Sequence, residues 1–152
     1  QKSIDILKIT TRSYPDNFDA HFSFANSLSA LNNFPDAIKA YKKTIILKPT
    51  EGLSHVGLGL SLFGSSDSES AIKILLKANK LFKAKKNISW YRDTRVMIGQ
   101  IKHFAKFPPH FSTLWITKNL KLVRDTYENT ILDPKQYLPS VYMQEKTTFL
   151  IQ

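Results

Sequence analysis

The chain has no cysteine, which removes disulfides, thiolate metal sites and cysteine nucleophiles together. That absence does not assign a compartment, because a helical protein needs no disulfides and a secretory-pathway address stays open. No apolar run approaches the roughly 18 residues that a membrane-spanning helix requires. There is no glycine-rich phosphate loop and no Gly-x-Ser-x-Gly elbow. Arginine is scarce among the positive charges, which disfavours base readout by its bidentate fork, and no nucleic-acid partner is expected. Against these absences stand a hydrophobic share of 42% and an aromatic share of 12% over 152 residues. That is ample for a packed core and unlike the composition of a disordered chain.

Acidic residues are few in one half only. Residues 1–76 carry 8 Lys/Arg against 7 Asp/Glu, whereas residues 77–152 carry 14 against 5, so the net charge of +10 sits almost wholly in the second half. Its densest run is Lys77, Lys80, Lys83, Lys85 and Lys86. A solvated helix face and loop accounts for such a run, and an anionic lipid, nucleic acid or acidic polypeptide would also be attracted to it.

The first residues, Gln1-Lys2-Ser3-Ile4-Asp5, resemble neither an initiator methionine nor a signal peptide. They read as a fragment cut inside a helix that ends before Pro15, the second helix of an incomplete repeat (residues 1–17). Pro15 and Pro49 stand 34 residues apart, and the chain repeats at that interval: Ala25 with Gly59, Leu28 with Leu62, Ala37 with Ala71, Tyr41 with Leu75, Thr44 with Ala78. Two helical hairpins follow, at 18–51 and 52–85. In the first, Phe18 to Leu31 precede an Asn32-Asn33-Phe34 turn, Pro35 occupies the first turn of the next helix, and that helix runs from Asp36 to Leu47. In the second, Leu53 to Phe63 and Glu69 to Phe82 flank a Gly64–Ser68 turn. Small residues at Ala25/Gly59 and Ala37/Ala71 let paired helices approach.

Beyond residue 86 the period fades, because Pro109 would fall mid-helix, where proline costs about 3 kcal/mol. Residues 86–132 read instead as a helical capping segment. Ile88 to Phe107 form one helix, with Trp90, Tyr91, Val96, Met97, Ile101 and Phe104 as apolar content. After a Phe107-Pro108-Pro109 break, Phe111 to Leu132 form another, with Leu114, Trp115, Leu120, Val123, Tyr127 and Ile131 on its apolar side. Residues 133–152 read as irregular, with Thr147 to Ile151 strand-like and the start of a missing domain expected there. The fold class expected is all-α with a possible terminal strand.

His21, His55, His103 and His110 belong to no His-x-Asp or His-Glu-x-x-His motif, and no catalytic or metal-binding set is expected in this chain. His21 and His55 occupy equivalent repeat positions and are expected to pack or face the turn. Asn87-Ile88-Ser89 is an N-glycosylation sequon.

The pattern His21-x2-Phe24-Ala25-x2-Leu28, Asn33-Phe34, Ala37-x3-Tyr41 and Pro49 resembles the tetratricopeptide repeat across residues 18–85. It departs from that family at His21, where Trp is usual, and at Lys83, where Pro is usual. The resemblance implies a helix-hairpin solenoid whose concave face is lined by the first helix of each repeat. Here that face would present Asp19, Phe22, Asn26 and Ser29, then Leu53, Val56, Leu60 and Phe63. Such an apolar, aromatic-dotted groove suits an extended polypeptide, although Leu60 and Phe63 also read simply as packing against a neighbouring helix.

A narrower resemblance lies in Pro49-Thr50-Glu51-Gly52-Leu53-Ser54-His55-Val56, Glu69-Ser70-Ala71-Ile72, Pro109-His110-Phe111-Ser112-Thr113-Leu114-Trp115 and Asn119 to Asp125. In that order they look like the last repeat and connecting segment of the aspartyl/asparaginyl β-hydroxylase family. The resemblance implies an endoplasmic-reticulum protein whose Fe(II) and 2-oxoglutarate would be held only by an oxygenase domain downstream of Gln152. Epidermal-growth-factor-like domains would be its substrate. The alternative is a free-standing repeat adaptor with no enzymatic partner domain, and a third reading is a basic membrane- or RNA-associating module.

Overall fold

The computed structural model of the chain describes residues 2–132. All regular structure there is helical, so the chain is all-α over this range. In order come α1 (Lys2–Ser13), α2 (Phe18–Ala30), α3 (Phe34–Leu47), α4 (Gly52–Gly64), α5 (Ser68–Ala84) and α6 (Ile88–Phe104). A 3-10 turn (Pro109–Ser112) then leads into α7 (Thr113–Leu132). The strand expected at Thr147–Ile151 lies outside the described residues.

The helix boundaries follow from local chemistry that itself recurs every 34 residues. The Asn17 side chain accepts a hydrogen bond from the Ala20 N–H and the Glu51 side chain from Leu53. Asn33 and Asp67 cap α3 and α5 in the same way, accepting from Asp36 and Ser70. Each cap satisfies an N–H that the first helical turn leaves without a partner. Helices α2, α4 and α5 stop where Asn32, Ser66 and Lys86 take φ of 59°, 67° and 59°. The next residue then bonds back five positions, Asn33 to Leu28, Asp67 to Leu62 and Asn87 to Phe82, each at 2.9 Å. This left-handed closure absorbs otherwise unpaired carbonyls at the helix end. The interval slips once, because α5 runs 17 residues where α3 runs 14, so the Asn87 cap of α6 falls two residues late.

Consecutive helices pack as neighbours from α1 to α6, with α4 at the centre. Every residue of α4 from Gly52 to Ser61 is buried. Glycine makes this possible by close approach. A Cβ on Gly57 would stand 2.4 Å from the Tyr41 ring of α3, one on Gly59 2.9 Å from Leu75, and one on Gly52 2.5 Å from the Phe82 ring of α5. Ala37, Ala71 and Ala78 are fully buried for the same reason. Of the expected small residues, Ala25, Ala37 and Ala71 are fully buried and a Cβ on Gly59 would stand 3.3 Å from the Ala71 carbonyl, while Gly52 and Gly57 are close approaches that the expectation did not include.

Two details differ from the sequence expectation. Helix α6 ends at Phe104 rather than Phe107, and its buried stripe is Trp90, Thr94, Met97, Ile98 and Ile101, while Val96 is exposed. On α7 the buried residues are Ile116, Leu120, Val123 and Tyr127, spaced i, i+4, i+7 and i+11, and Leu114 is 85% exposed. Pro109–Ser112 forms a 3-10 turn, which shifts the helix start and turns Leu114 away from the core; Ile131 lies outside the described side chains.

Gly57→Ala is expected to lower stability by about 1–3 kcal/mol through overpacking against Tyr41. Gly99 sits within α6, and a Cβ added there would meet nothing within 4 Å. Gly99→Ala is therefore expected to raise stability by about 0.5–1 kcal/mol. Urea unfolding of both variants checks the pair, and equal midpoints would contradict the close approach.

Candidate polypeptide groove

Helices α2 and α4 form one face of the molecule, and α7 lies against both of them. The chain reaches this face because Phe107-Pro108-Pro109 interrupts helix at a point where two successive residues lack an N–H. Thus α7 does not stack on α6 as α5 stacks on α4. It returns across the earlier helices and touches α6 near its end, where the Trp115 indole donates to Gln100 Oε1 at 2.8 Å.

The seat of α7 is aromatic at both ends. Tyr127 meets Phe22 edge-on with ring centroids 4.2 Å apart and also approaches Phe18 at 6.1 Å. Trp115 meets Phe63 edge-on at 5.8 Å and Phe104 at 5.6 Å. Pairs in these orientations add about 0.5–1.5 kcal/mol each beyond the area they bury. Ile116, Leu120 and Val123 complete the buried stripe between them.

Of the residues read from the sequence as groove-lining, Phe22, Asn26, Ser29, Leu53, Val56, Leu60 and Phe63 are buried and Asp19 is exposed. Of these, Phe22 meets α7 at Tyr127 and Phe63 at Trp115, whereas the Asn26 and Ser29 side chains engage Tyr41 of α3 instead. Phe18, Trp115, Ile116 and Tyr127 complete the site, and the repeat pattern does not point to them. The i, i+4, i+7, i+11 spacing of α7 is the available signal, but nothing in it says which surface the stripe covers.

Beneath the aromatic row lies a polar cluster. The Tyr41 hydroxyl, fully buried, donates to Asn26 Oδ1 at 2.6 Å and lies 3.3 Å from Ser29 Oγ, which itself donates to the Asn26 carbonyl at 2.9 Å. Burial pushes the Tyr41 hydroxyl well above the ordinary tyrosine range, with Ser29 and Arg124 pulling weakly the other way. It is therefore a permanent donor. In contrast, Tyr127 on α7 buries its hydroxyl with no hydrogen-bond partner among the described residues, as do Ser54 and Ser61 on α4. A buried hydroxyl left unpaired costs about 1–3 kcal/mol, so the seat of α7 is apolar in shape but imperfect in polarity.

The histidines are separate. His21 Nε2 donates to the Pro15 carbonyl at 2.9 Å and His55 Nδ1 to the Glu51 carbonyl at 3.1 Å. The equivalent repeat positions thus both face the preceding turn, through different ring nitrogens. Burial holds the His55 imidazole below its usual range; the Glu51 carbonyl opposes this, and the Lys77 charge adds a smaller downward push. His103 packs on Phe107 and His110 stacks on Phe111. Among the described residues no three His, Asp or Glu side chains gather closely enough to hold a metal ion. Asn87 is exposed, and its side-chain oxygen caps α6 by accepting from Trp90.

At one end of the α7 seat a cleft of about 450 Å³ opens between Phe34, Phe63, Phe104 and Ile116. Ser112 borders it, buried, with its hydroxyl donating to the Pro109 carbonyl. Such a lining takes up apolar groups. No protein family, curated protein or solved structure matches this chain.

Tyr127→Phe removes a hydroxyl unpaired among the described residues, whereas Tyr41→Phe strands the buried Asn26 Oδ1. Thermal melts are expected to show Tyr127→Phe unchanged or stabilised by up to about 1 kcal/mol, and Tyr41→Phe destabilised by about 1–2 kcal/mol. Equal losses in the two variants would contradict this account of the cluster.

Proposed function

We propose that this chain is a non-catalytic, polypeptide-binding scaffold of tetratricopeptide type. Its concave face on α2 and α4 receives a helical or extended segment, and α7 is an intramolecular occupant of that face. The observation that carries the reading is the complementarity of α2 and α4 to an amphipathic helix, anchored by Tyr127 at Phe22 and by Trp115 at Phe63. This is recognition of a helix by an apolar groove, read through i, i+4, i+7 anchors. The 34-residue recurrence of the caps and of the left-handed closures at Asn32 and Ser66 supports the repeat assignment.

The parent protein we propose is one similar to aspartyl/asparaginyl β-hydroxylases of the endoplasmic reticulum. In such a protein these helices would position an epidermal-growth-factor-like domain for an Fe(II)- and 2-oxoglutarate-dependent oxygenase domain elsewhere in the polypeptide. The ordered short matches from Pro49 to Val56 and from Pro109 to Asp125 support this reading. A free-standing adaptor is the second reading, favoured by α7 itself, since a groove already filled by a plain amphipathic helix selects for helices.

The two readings separate in a titration of the isotope-labelled chain. An epidermal-growth-factor-like domain is expected to shift the amides of Asn26, Ser29 and Phe63 and the Trp115 indole together as α7 is displaced. A synthetic peptide of residues 113–132 producing those shifts when the domain does not would select the adaptor reading. Because any partner competes with α7, Val123→Ala with Tyr127→Ala is expected to tighten binding by about tenfold for each 1.4 kcal/mol removed from the seat. Failure of both ligands to shift these residues would overturn the scaffold reading.

A further inference from the structure

The face opposite α7 holds a second recessed surface that the groove does not use. Helices α3 and α5 lie on either side of α4, and between them Leu58 and Leu62 of α4 form a floor flanked by Ile45 and Ile74. Two adjoining cavities, of about 620 and 310 Å³, share Lys42, Leu58, Ile74 and Lys77, so they form one trough. Its apolar surface continues outward at Ile46, 72% exposed, and Leu76, 46% exposed. Lys42 stands on the α3 side, and Lys73, Lys77 and Lys80 follow one another along α5. The basic run singled out in the sequence therefore includes two residues, Lys77 and Lys80, that border an apolar floor.

Three of the four lysines on this rim have no carboxylate partner among the described residues. Lys73 pairs with Glu69 at 3.7 Å on the exposed surface of α5. Among the described residues no carboxylate pairs with Lys42, Lys77 or Lys80. The one acidic residue in the lining, Asp67, caps α5 through the Ser70 N–H. Like charges held along one helix repel at i, i+3 and i+4 spacings, and a partner bearing negative charge relieves that repulsion.

We propose that the α3–α5 trough docks an acidic amphipathic helix. Its apolar residues would enter at Leu58, Leu62 and Ile74, and its carboxylates would meet Lys42, Lys77 and Lys80. The shape selects a polypeptide over a membrane, because a recess with its apolar floor at the bottom accepts inserted side chains and a planar bilayer surface does not fill it. The lining selects against nucleic acid, because it contains no aromatic side chain for base stacking other than the His55 imidazole and no arginine. Residues 133–152 of this chain carry two acidic and two basic residues, so they lack the charge the rim calls for. The occupant is an acidic helix outside residues 1–152.

The test uses the whole chain and a fluorescein-labelled 18-residue peptide with leucines at i, i+3, i+4 and i+7 and glutamates elsewhere, read by anisotropy. Saturable binding is expected, weakening as salt rises from about 50 to about 300 mM, and at least about tenfold weaker for a scrambled peptide of the same composition. Lys42→Glu with Lys77→Glu is expected to weaken binding by about tenfold or more, as reversal of two facing charges does. Ile46→Ser with Leu76→Ser, both at exposed positions, is expected to weaken it at unchanged salt dependence, whereas Lys102→Glu with Lys106→Glu on α6 and its following turn is expected to leave it intact. Circular dichroism verifies that each variant remains folded. Equal binding of the scrambled peptide, or unchanged affinity in the Lys42/Lys77 variant, overturns the proposal. So does binding of phosphatidylserine vesicles or of a 20-nucleotide RNA where the peptide does not bind.

Discussion

The structure depends on how closely neighbouring side chains approach the backbone of α4. Tyr41 lies on Gly57, Leu75 on Gly59 and Phe82 on Gly52, so α3 and α5 close on α4 at separations that any larger residue would forbid. Once α4 is enclosed by these two helices, its remaining side presents Leu53, Val56, Leu60 and Phe63 next to α2. The apolar face that α4 shares with α2 and the recessed trough between α3 and α5 are thus two consequences of one constraint. Both exist because α4 is sunk between its neighbours.

Helix α7 uses the first of these surfaces. Its hold is built from two aromatic anchors and three aliphatic residues, and its one buried phenol on that stripe finds no partner among the described residues. By comparison, the Tyr41 hydroxyl below it is fully engaged with Asn26. Unpaired hydroxyls also occur on the central helix α4, at Ser54 and Ser61, so the Tyr127 phenol does not by itself set α7 apart from the core. A surface meant for exchange need only be apolar and well shaped. The ground for treating α7 as an occupant of the proposed groove is its place across α2 and α4, outside the order in which α1 to α6 pack on one another.

Much of the fold is legible in the sequence because the repeat writes itself into turn chemistry. The Asn32-Asn33-Phe34 and Gly64–Ser68 turns are readable at the 34-residue interval, whereas the caps at Asn17, Glu51 and Asp67 emerge only with the structure. The apolar stripe of α2 and α4 is equally visible, including Phe22, Val56 and Phe63. The sequence does not reveal what covers that stripe. Periodicity describes which side of a helix is apolar and is silent about the distant surface it meets. Leu114 departs from the expected phase of α7 because a 3-10 turn, not α-helix, follows Pro109, and Val96 departs from the expected core because α6 turns it outward. The lysines at 77 and 80 are visible as charge, but their place beside Leu58 and Ile74 requires the fold.

Under the proposed function, α7 is a separable occupant of a groove that persists without it. Hydrogen–deuterium exchange of the whole chain under native conditions addresses this directly, since it resolves local opening from global unfolding. The account predicts that amides of α7 from Ile116 to Tyr127 exchange by a local opening well below the global unfolding free energy, while those of α4 from Val56 to Leu60 exchange only by global unfolding. Equal protection of the two helices, with identical dependence on denaturant, would make α7 part of the core and contradict the claim.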